Sequence, residues 1–101
     1  MLIRSQDKKD LVNLDNITEI YAHRNMLKDR TMILPEYETK IICFTGRNEI
    51  PIGIYSSEEK AIKVLDMIEK AYLDFTCNYH NESGLFQMPQ DDEELIFKRG
   101  K

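Results

Sequence analysis

Residues 50–75 read IPIGIYSSEEKAIKVLDMIEKAYLDF, and this stretch holds the clearest strand and the clearest helix of the chain. Its first part places Ile50, Ile52 and Ile54 at every second position, which predicts a β-strand with the three isoleucines on one face. Pro51 lacks the N–H that a sheet ladder needs, so we expect an edge strand or a β-bulge here.

The rest of this stretch predicts one amphipathic helix. Ser56 is followed three residues later by Glu59, which is the capping-box pattern of a helix start. An apolar stripe then recurs at spacings of three and four residues, through Ala61, Leu65, Ile68, Tyr72 and Phe75, and Ile62 and Val64 widen it. Such a helix must bury one face, and we expect that face to lie on the isoleucines of the preceding strand.

Outside this stretch the strand-like segments are short. Two of them, residues 2–5 and 11–14, flank a polar turn and predict an N-terminal hairpin. Residues 17–24 are rich in β-branched and aromatic side chains, residues 39–45 precede a Gly-Arg-Asn turn, and residues 85–88 form a closing strand before Pro89.

The predicted fold is therefore α+β, with one amphipathic helix packed on one face of an antiparallel sheet of about four to six strands. Residues 25–37 follow neither period, and we predict a loop there with one short strand near residues 32–34. Residues 1–89 are expected to form a single domain. Residues 90–101 are expected to form a charged C-terminal tail that is mobile or docks on a partner subunit.

Composition limits the class of protein. The 101 residues are 42% hydrophobic and 32% charged, the balance of a globular chain, and the net charge is −4. From Asn48 onward, eleven Asp and Glu face six Lys and Arg, which is the wrong sign for a general nucleic-acid binder. No stretch has the length and apolarity of a signal core or a membrane helix, so we predict a cytoplasmic protein.

Four residues are candidates for a metal site or a catalytic thiol: Cys43, Cys77, His23 and His80. Zinc needs four ligands, or three and a water, and no paired ligand motif supports the Cys77–His80 spacing. A catalytic thiol needs a lowered pKa, whereas Cys77 is predicted at a helix C-terminus and Cys43 on a core face. No phosphate-binding glycine loop or nucleophile elbow occurs. We therefore predict a protein that is not an enzyme, with no catalytic, cofactor or metal residues.

Two features of the sequence favour contact with another protein. Tyr55 is opposite the isoleucine face of its strand, so we expect an exposed tyrosine, a residue type enriched at interfaces. In the tail, Leu95, Ile96 and Phe97 are three adjacent apolar residues that are expected to be covered by this domain or by another subunit. If the sheet face opposite the helix is apolar, a homodimer would cover it.

A basic cluster supports a different hypothesis. The N-terminal hairpin and the strand after it bring together Arg4, Lys8, Lys9 and Arg24, which could bind a small anion such as a nucleotide phosphate. The alternative is a solvated hairpin whose lysines protect its edges.

Three stretches resemble a group of small proteins of Gram-positive bacteria, their phages and mobile elements: LIRSQDKK with LVNLDNITEI, then IPIGIYSSEEKAIKVLDMIEKAY, then LFQMP. This resemblance covers about half of the chain and implies no activity or site residues. The resemblance implies an accessory role for this chain. Small proteins of this kind often act by binding a host protein. The leading prediction is thus a non-enzymatic interaction protein with a protein partner or a second copy of itself. The alternative is a module that binds a small ligand or nucleotide.

Overall fold

The computed structural model describes residues 1–27, 36–77 and 84–91, in which six strands form two three-stranded sheets beside one long helix. The elements in chain order are β1 (Leu2–Arg4), β2 (Leu11–Asn13), a 3₁₀ helix (Leu14–Asn16), β3 (Glu19–Leu27), β4 (Glu36–Phe44), β5 (Glu49–Tyr55), α1 (Glu58–Cys77) and β6 (Leu85–Gln87). The α+β class is confirmed. The strands are divided between two sheets, so each sheet is smaller than the single sheet predicted.

The first sheet has the order β2-β1-β6. β1 and β2 are antiparallel, which confirms the N-terminal hairpin, and β6 pairs with β1 in parallel. A parallel pair requires a long connection, and here the whole second sheet and α1 supply it. The backbone of Met88 continues this pairing, because its N–H donates to the carbonyl of Arg4 at 3.0 Å.

The second sheet is an antiparallel meander, β3-β4-β5, with β4 in the centre. Pro51 therefore lies on an edge strand, as predicted. The loop predicted for residues 25–37 is wrong at both of its ends, because β3 extends to Leu27 and β4 begins at Glu36. Asn25 pairs with Glu38 and Met26 with Tyr37. Asn25, Met26 and Glu38 have no strong strand preference, so pairing between the two strands determines the structure at these positions. The short strand predicted near residues 32–34 lies outside the described residues.

A β-bulge in β5 reverses the predicted orientation of Tyr55. Ile42 pairs with Pro51 and Ile41 with Gly53, so Ile52 is an extra residue between two consecutive pairs. One inserted residue exchanges the two faces of every position that follows it. Ile54 is consequently 44% exposed and Tyr55 is 0% exposed, whereas we predicted the opposite for both. The prediction of an exposed contact tyrosine at position 55 is therefore wrong.

One hydrophobic core joins the helix to both sheets. Its buried members from the first sheet and the residues flanking it are Met1, Ile3, Val12 and Met88. Those from the second sheet are Ile41, Cys43, Ile52 and Tyr55, and those from α1 are Ala61, Val64 and Ile68. The helix packs with Val64 rather than Tyr72 at the centre of its buried stripe, since Tyr72 is 38% exposed. No helix in the described ranges is long and apolar enough to cross a membrane.

The helix begins one residue later than the predicted cap. Ser57 accepts a hydrogen bond from the N–H of Lys60 at 3.1 Å, so Ser57 is the N-cap and the Ser56–Glu59 capping box is wrong. Ser56 instead donates a hydrogen bond to the carboxylate of Asp91 at 3.2 Å. Gln90 donates to the carbonyl of Gln6 at 2.9 Å. Contacts with the domain thus continue two residues beyond the predicted boundary at residue 89. The predicted tail conformation lies outside the described residues from residue 92 onward.

Candidate functional site

A groove of about 680 Å³ opens between α1 and the segment that leads into β3. The apolar residues that line it are Leu14, Ile17, Ile20, Leu65, Ile68 and Tyr72. Four acidic residues line it as well: Asp15, Glu19, Asp66 and Glu69. We call this site the acidic groove.

The 3₁₀ helix builds one wall of the acidic groove. The side chain of Asn13 accepts a hydrogen bond from the N–H of Asp15 at 3.0 Å, and the N–H of Ile17 donates to the carbonyl of Leu14 at 3.2 Å. These bonds hold a tight turn, so that Leu14 and Ile17 both pack against the core from one short segment. Thr18 then joins the second sheet, because its N–H and hydroxyl both donate to the carbonyl of Phe44.

The helix builds the other wall. Leu65, Ile68 and Tyr72 follow one another at spacings of three and four residues, and Asp66 and Glu69 stand beside them on the solvent side. Two further apolar side chains of α1 are exposed outside the groove lining, since Ile62 is 49% exposed and Leu73 is 52% exposed. Exposed apolar side chains grouped in this way, with polar residues along the rim, mark contact sites more often than single exposed residues do.

The charge of the acidic groove has one sign. All four of its carboxylates are exposed, and none of its described lining residues is Lys or Arg. Like charges over an apolar floor produce a negative potential that attracts cations. The arrangement suits a ligand that is apolar on one side and basic on the other.

Sequence reasoning did not identify this site. The patterns that predict the helix and the strands do not single out Asp15 or Asp66, and neither position indicates that the two segments meet. A usable signal was present in α1, where Asp66 and Glu69 lie directly beside Leu65 and Tyr72 in the helical register. The partner wall could not be inferred, since it depends on where the 3₁₀ helix packs.

The structure brings together only part of the predicted anion patch. The guanidinium of Arg4 donates to the carbonyl of Lys8 at 3.2 Å, so these two residues meet in the β1–β2 hairpin. Arg24 lies in the other sheet, where its guanidinium is 3.9 Å from the centre of the Tyr37 ring. The same hairpin holds a carboxylate, because Asp7 accepts a hydrogen bond from the N–H of Lys9 at 3.0 Å. A negative charge within the hairpin weakens its attraction for an anion.

Asp7 gives a prediction for the pH dependence of this hairpin. The hydroxyl of Ser5 donates to its carboxylate at 2.6 Å, and this bond together with the one from Lys9 lowers the pKa of Asp7 below its ordinary value. Because the folded-state pKa is the lower one, the charged form stabilises the hairpin above the unfolded-state pKa. That contribution is lost as the pH falls through the folded-state pKa.

We therefore expect Ser5→Ala to raise the pKa of Asp7 towards its ordinary value, measured by an NMR titration of the side-chain carboxyl carbon. Ser56→Ala is the matched control and is expected to leave the pKa of Asp7 unchanged. Equal Asp7 pKa values in Ser5→Ala and the unmodified protein would contradict the assigned cause.

The residues considered for thiol and metal chemistry do not assemble among the described residues. Cys43 is fully buried in the core, and burial raises the pKa of its thiol to about 11, so the thiolate is disfavoured. His23 lies on β3 and is exposed. Within the described ranges no three His, Cys, Asp or Glu side chains are grouped to hold a metal ion. His80 and the side chain of Cys77 lie outside the described residues.

Of the predicted interface residues, Tyr55 has an internal role. Its hydroxyl donates to the carbonyl of Pro89 at 2.7 Å, and burial, with a smaller effect of the Asp91 charge, raises its pKa. The predicted contact residues Leu95, Ile96 and Phe97 lie outside the described residues.

A second apolar surface lies on the face of the second sheet that is turned away from α1. Tyr21, Ile42 and Pro51 form one row across its three strands, and Ile42 is buried although it is not part of the core cluster. The neighbouring row joins Lys40 to the exposed Ile54, so apolar and charged residues alternate over this face. A homodimer through this face stays a prediction.

Comparison of the chain with protein-family models, with curated proteins and with solved structures finds no match.

Proposed function

We propose that this protein is a non-enzymatic interaction protein that binds a protein partner in the acidic groove. The observation that carries the proposal is the apolar floor under four carboxylates, with no basic residue among the described lining residues. The bound segment is expected to present apolar side chains to the floor and Lys or Arg to the rim. The cytoplasm remains the predicted compartment, and an accessory role in a phage or mobile element remains what the resemblance implies.

The dimensions of the acidic groove suit a short peptide segment. A volume of about 680 Å³ is in the range of sites that take a few side chains, and the wall formed by α1 extends over two helical turns, from Leu65 to Tyr72. Recognition of an amphipathic segment in an apolar groove combines burial of its apolar side with selection of its charge by the rim.

The alternative function, binding of a small ligand or nucleotide by the basic hairpin, has weaker support. The described contacts unite Arg4 with Lys8 but place Arg24 in the other sheet, and they set the carboxylate of Asp7 in the same turn. A phosphorylated ligand would therefore meet both signs of charge.

The proposal is tested with two synthetic peptides that have the same leucines at helical spacing and differ only in carrying lysine or glutamate between them. We expect the lysine peptide to bind, measured by fluorescence anisotropy, and the glutamate peptide not to bind. The variant Asp66→Lys/Glu69→Lys is expected to weaken binding of the lysine peptide at least about tenfold, because two attractive charges become repulsive.

A matched control changes the same net charge elsewhere on the helix. Glu59→Lys/Asp74→Lys alters two carboxylates of α1 that do not line the acidic groove, and it is expected to retain most of the binding. Equal losses in the two variants, or equal binding of the two peptides, would show that the acidic groove is not the binding site.

A further inference from the structure

The last seven residues of the sequence have the chemistry that the acidic groove selects. Residues 95–101 read LIFKRGK, so three apolar residues are followed directly by Lys98 and Arg99, and then by Lys101. We propose that the acidic groove binds residues 95–101 of a second copy of this chain. This inference rests on the proposed function, since it names the segment that the groove receives.

The segment and the acidic groove are complementary in charge and in polarity. Three cations of the segment face four carboxylates of the acidic groove, while Leu95, Ile96 and Phe97 supply apolar side chains for its floor. The residues immediately before the segment, Asp92 to Glu94, are acidic and would be repelled by the rim. The bound part of the chain therefore begins at Leu95.

The position of Asp91 favours the groove of another copy over the groove of the same copy. The Asp91 carboxylate lies 3.3 Å from the Lys60 ammonium. Lys60 and Leu65 are about 140° apart around α1, at 3.6 residues per turn. The buried residues Ala61 and Val64 occupy the space between them on the short side.

A chain that runs from Asp91 to the Leu65 side of its own acidic groove must therefore pass round the open side of the helix. The arc from Lys60 to Leu65 round this side covers about 220° of a helix about 10–12 Å in diameter. Its length is about 19–23 Å, before any advance along the helix axis is added. The four Cα–Cα steps from Asp91 to Leu95 span at most about 14 Å. This span is shorter than the open-side path to Leu65, although the rim at Asp66 is only about 120° from Lys60 on that side. Contact of Leu95 with the apolar floor is therefore favoured in the groove of a neighbouring copy.

Because each copy carries both the segment and the acidic groove, reciprocal exchange closes a two-fold dimer. Two acidic grooves are filled in such a dimer. A foreign basic partner would then compete with self-association for the same site.

The test uses the full-length chain and exchanges charges between the two surfaces. One variant, Asp66→Lys/Glu69→Lys, has a basic groove, and the other, Lys98→Glu/Arg99→Glu, has an acidic tail. We expect the unmodified protein to sediment as a dimer in analytical ultracentrifugation, and each variant alone to associate at least about tenfold more weakly. Mixing the two variants is expected to restore a dimer, since each groove then meets a tail of opposite charge.

Each outcome of this test is informative. A monomeric unmodified protein, undiminished association of both variants, or a mixture that stays monomeric would overturn the inference. Far-UV circular dichroism and thermal unfolding of each variant identify any that fail to fold, and the chain carrying all four substitutions is a second check because it should dimerise again. The proposed function fails separately: if the lysine peptide binds the acidic groove while the unmodified protein is monomeric, the groove binds basic segments but not this one.

Discussion

Replacement of Tyr55 by alanine is expected to lower the free energy of unfolding by about 3–5 kcal/mol, a large part of the about 5–15 kcal/mol typical of a domain. The side chain is fully buried between the second sheet and the segment that follows β6, and its hydroxyl is bonded to Pro89. Its removal leaves a cavity and releases that segment. Urea unfolding followed by far-UV circular dichroism measures the loss, because the chain has no tryptophan to report by fluorescence.

The conservative change Tyr55→Phe separates the ring from the hydroxyl. We expect a loss of only about 1 kcal/mol, since the Pro89 carbonyl keeps a second donor in the Gln6 side chain, at 3.3 Å, and is not left unsatisfied. Tyr72→Phe is the matched control, and because Tyr72 is 38% exposed it is expected to change the free energy of unfolding by less than about 0.5 kcal/mol. A Tyr55→Ala effect as small as that of Tyr72→Phe would mean that Tyr55 is not in the core.

Replacement of Gly53 by alanine is the second prediction, with an expected loss of about 1–3 kcal/mol. A Cβ atom at this position would lie 2.9 Å from Cε2 of Tyr55 and 3.0 Å from Cε of Met88. The methionine end can move, but the tyrosine ring is held by its bond to Pro89. In an unobstructed strand the same change stabilises a protein by about 0.4–1 kcal/mol, so the sign of the effect is diagnostic.

A double-mutant cycle assigns the Gly53 effect to the ring. In a Tyr55→Leu background the aromatic contact is absent, and we expect Gly53→Ala to be much less destabilising there than in the unmodified protein. Equal effects of Gly53→Ala in both backgrounds would indicate that Met88 or the backbone, and not the ring, limits the space.

The two halves of the acidic groove differ in how far they could be predicted. Its helical wall follows from local periodicity, which places Leu65, Ile68 and Tyr72 on one stripe with Asp66 and Glu69 beside it. Its other wall depends on the packing of Leu14 and Ile17 against that helix, more than 40 residues away in the chain. No local pattern contains such a contact.

Much of the secondary structure was determined by the sequence alone. The helix, the strand before it, the N-terminal hairpin and the α+β class all follow from periods and turn residues that act within a few positions of one another. The expectation of an edge strand or a β-bulge at Pro51 was also correct, because the missing N–H cannot donate to a regular sheet ladder, and β5 is both an edge strand and bulged.

Only the tertiary structure decided which way side chains face and which strands meet. Ile52 is an extra residue between the pairs that Pro51 and Gly53 form with β4, and this bulge turns Tyr55 inward. The parallel pairing of β6 with β1 and the extension of β3 to Leu27 likewise depend on partners far away in sequence. The local pattern shows only that apolar and polar residues alternate along a segment. Its register comes from the free energy of burying one face against a distant partner, which no short stretch of sequence contains.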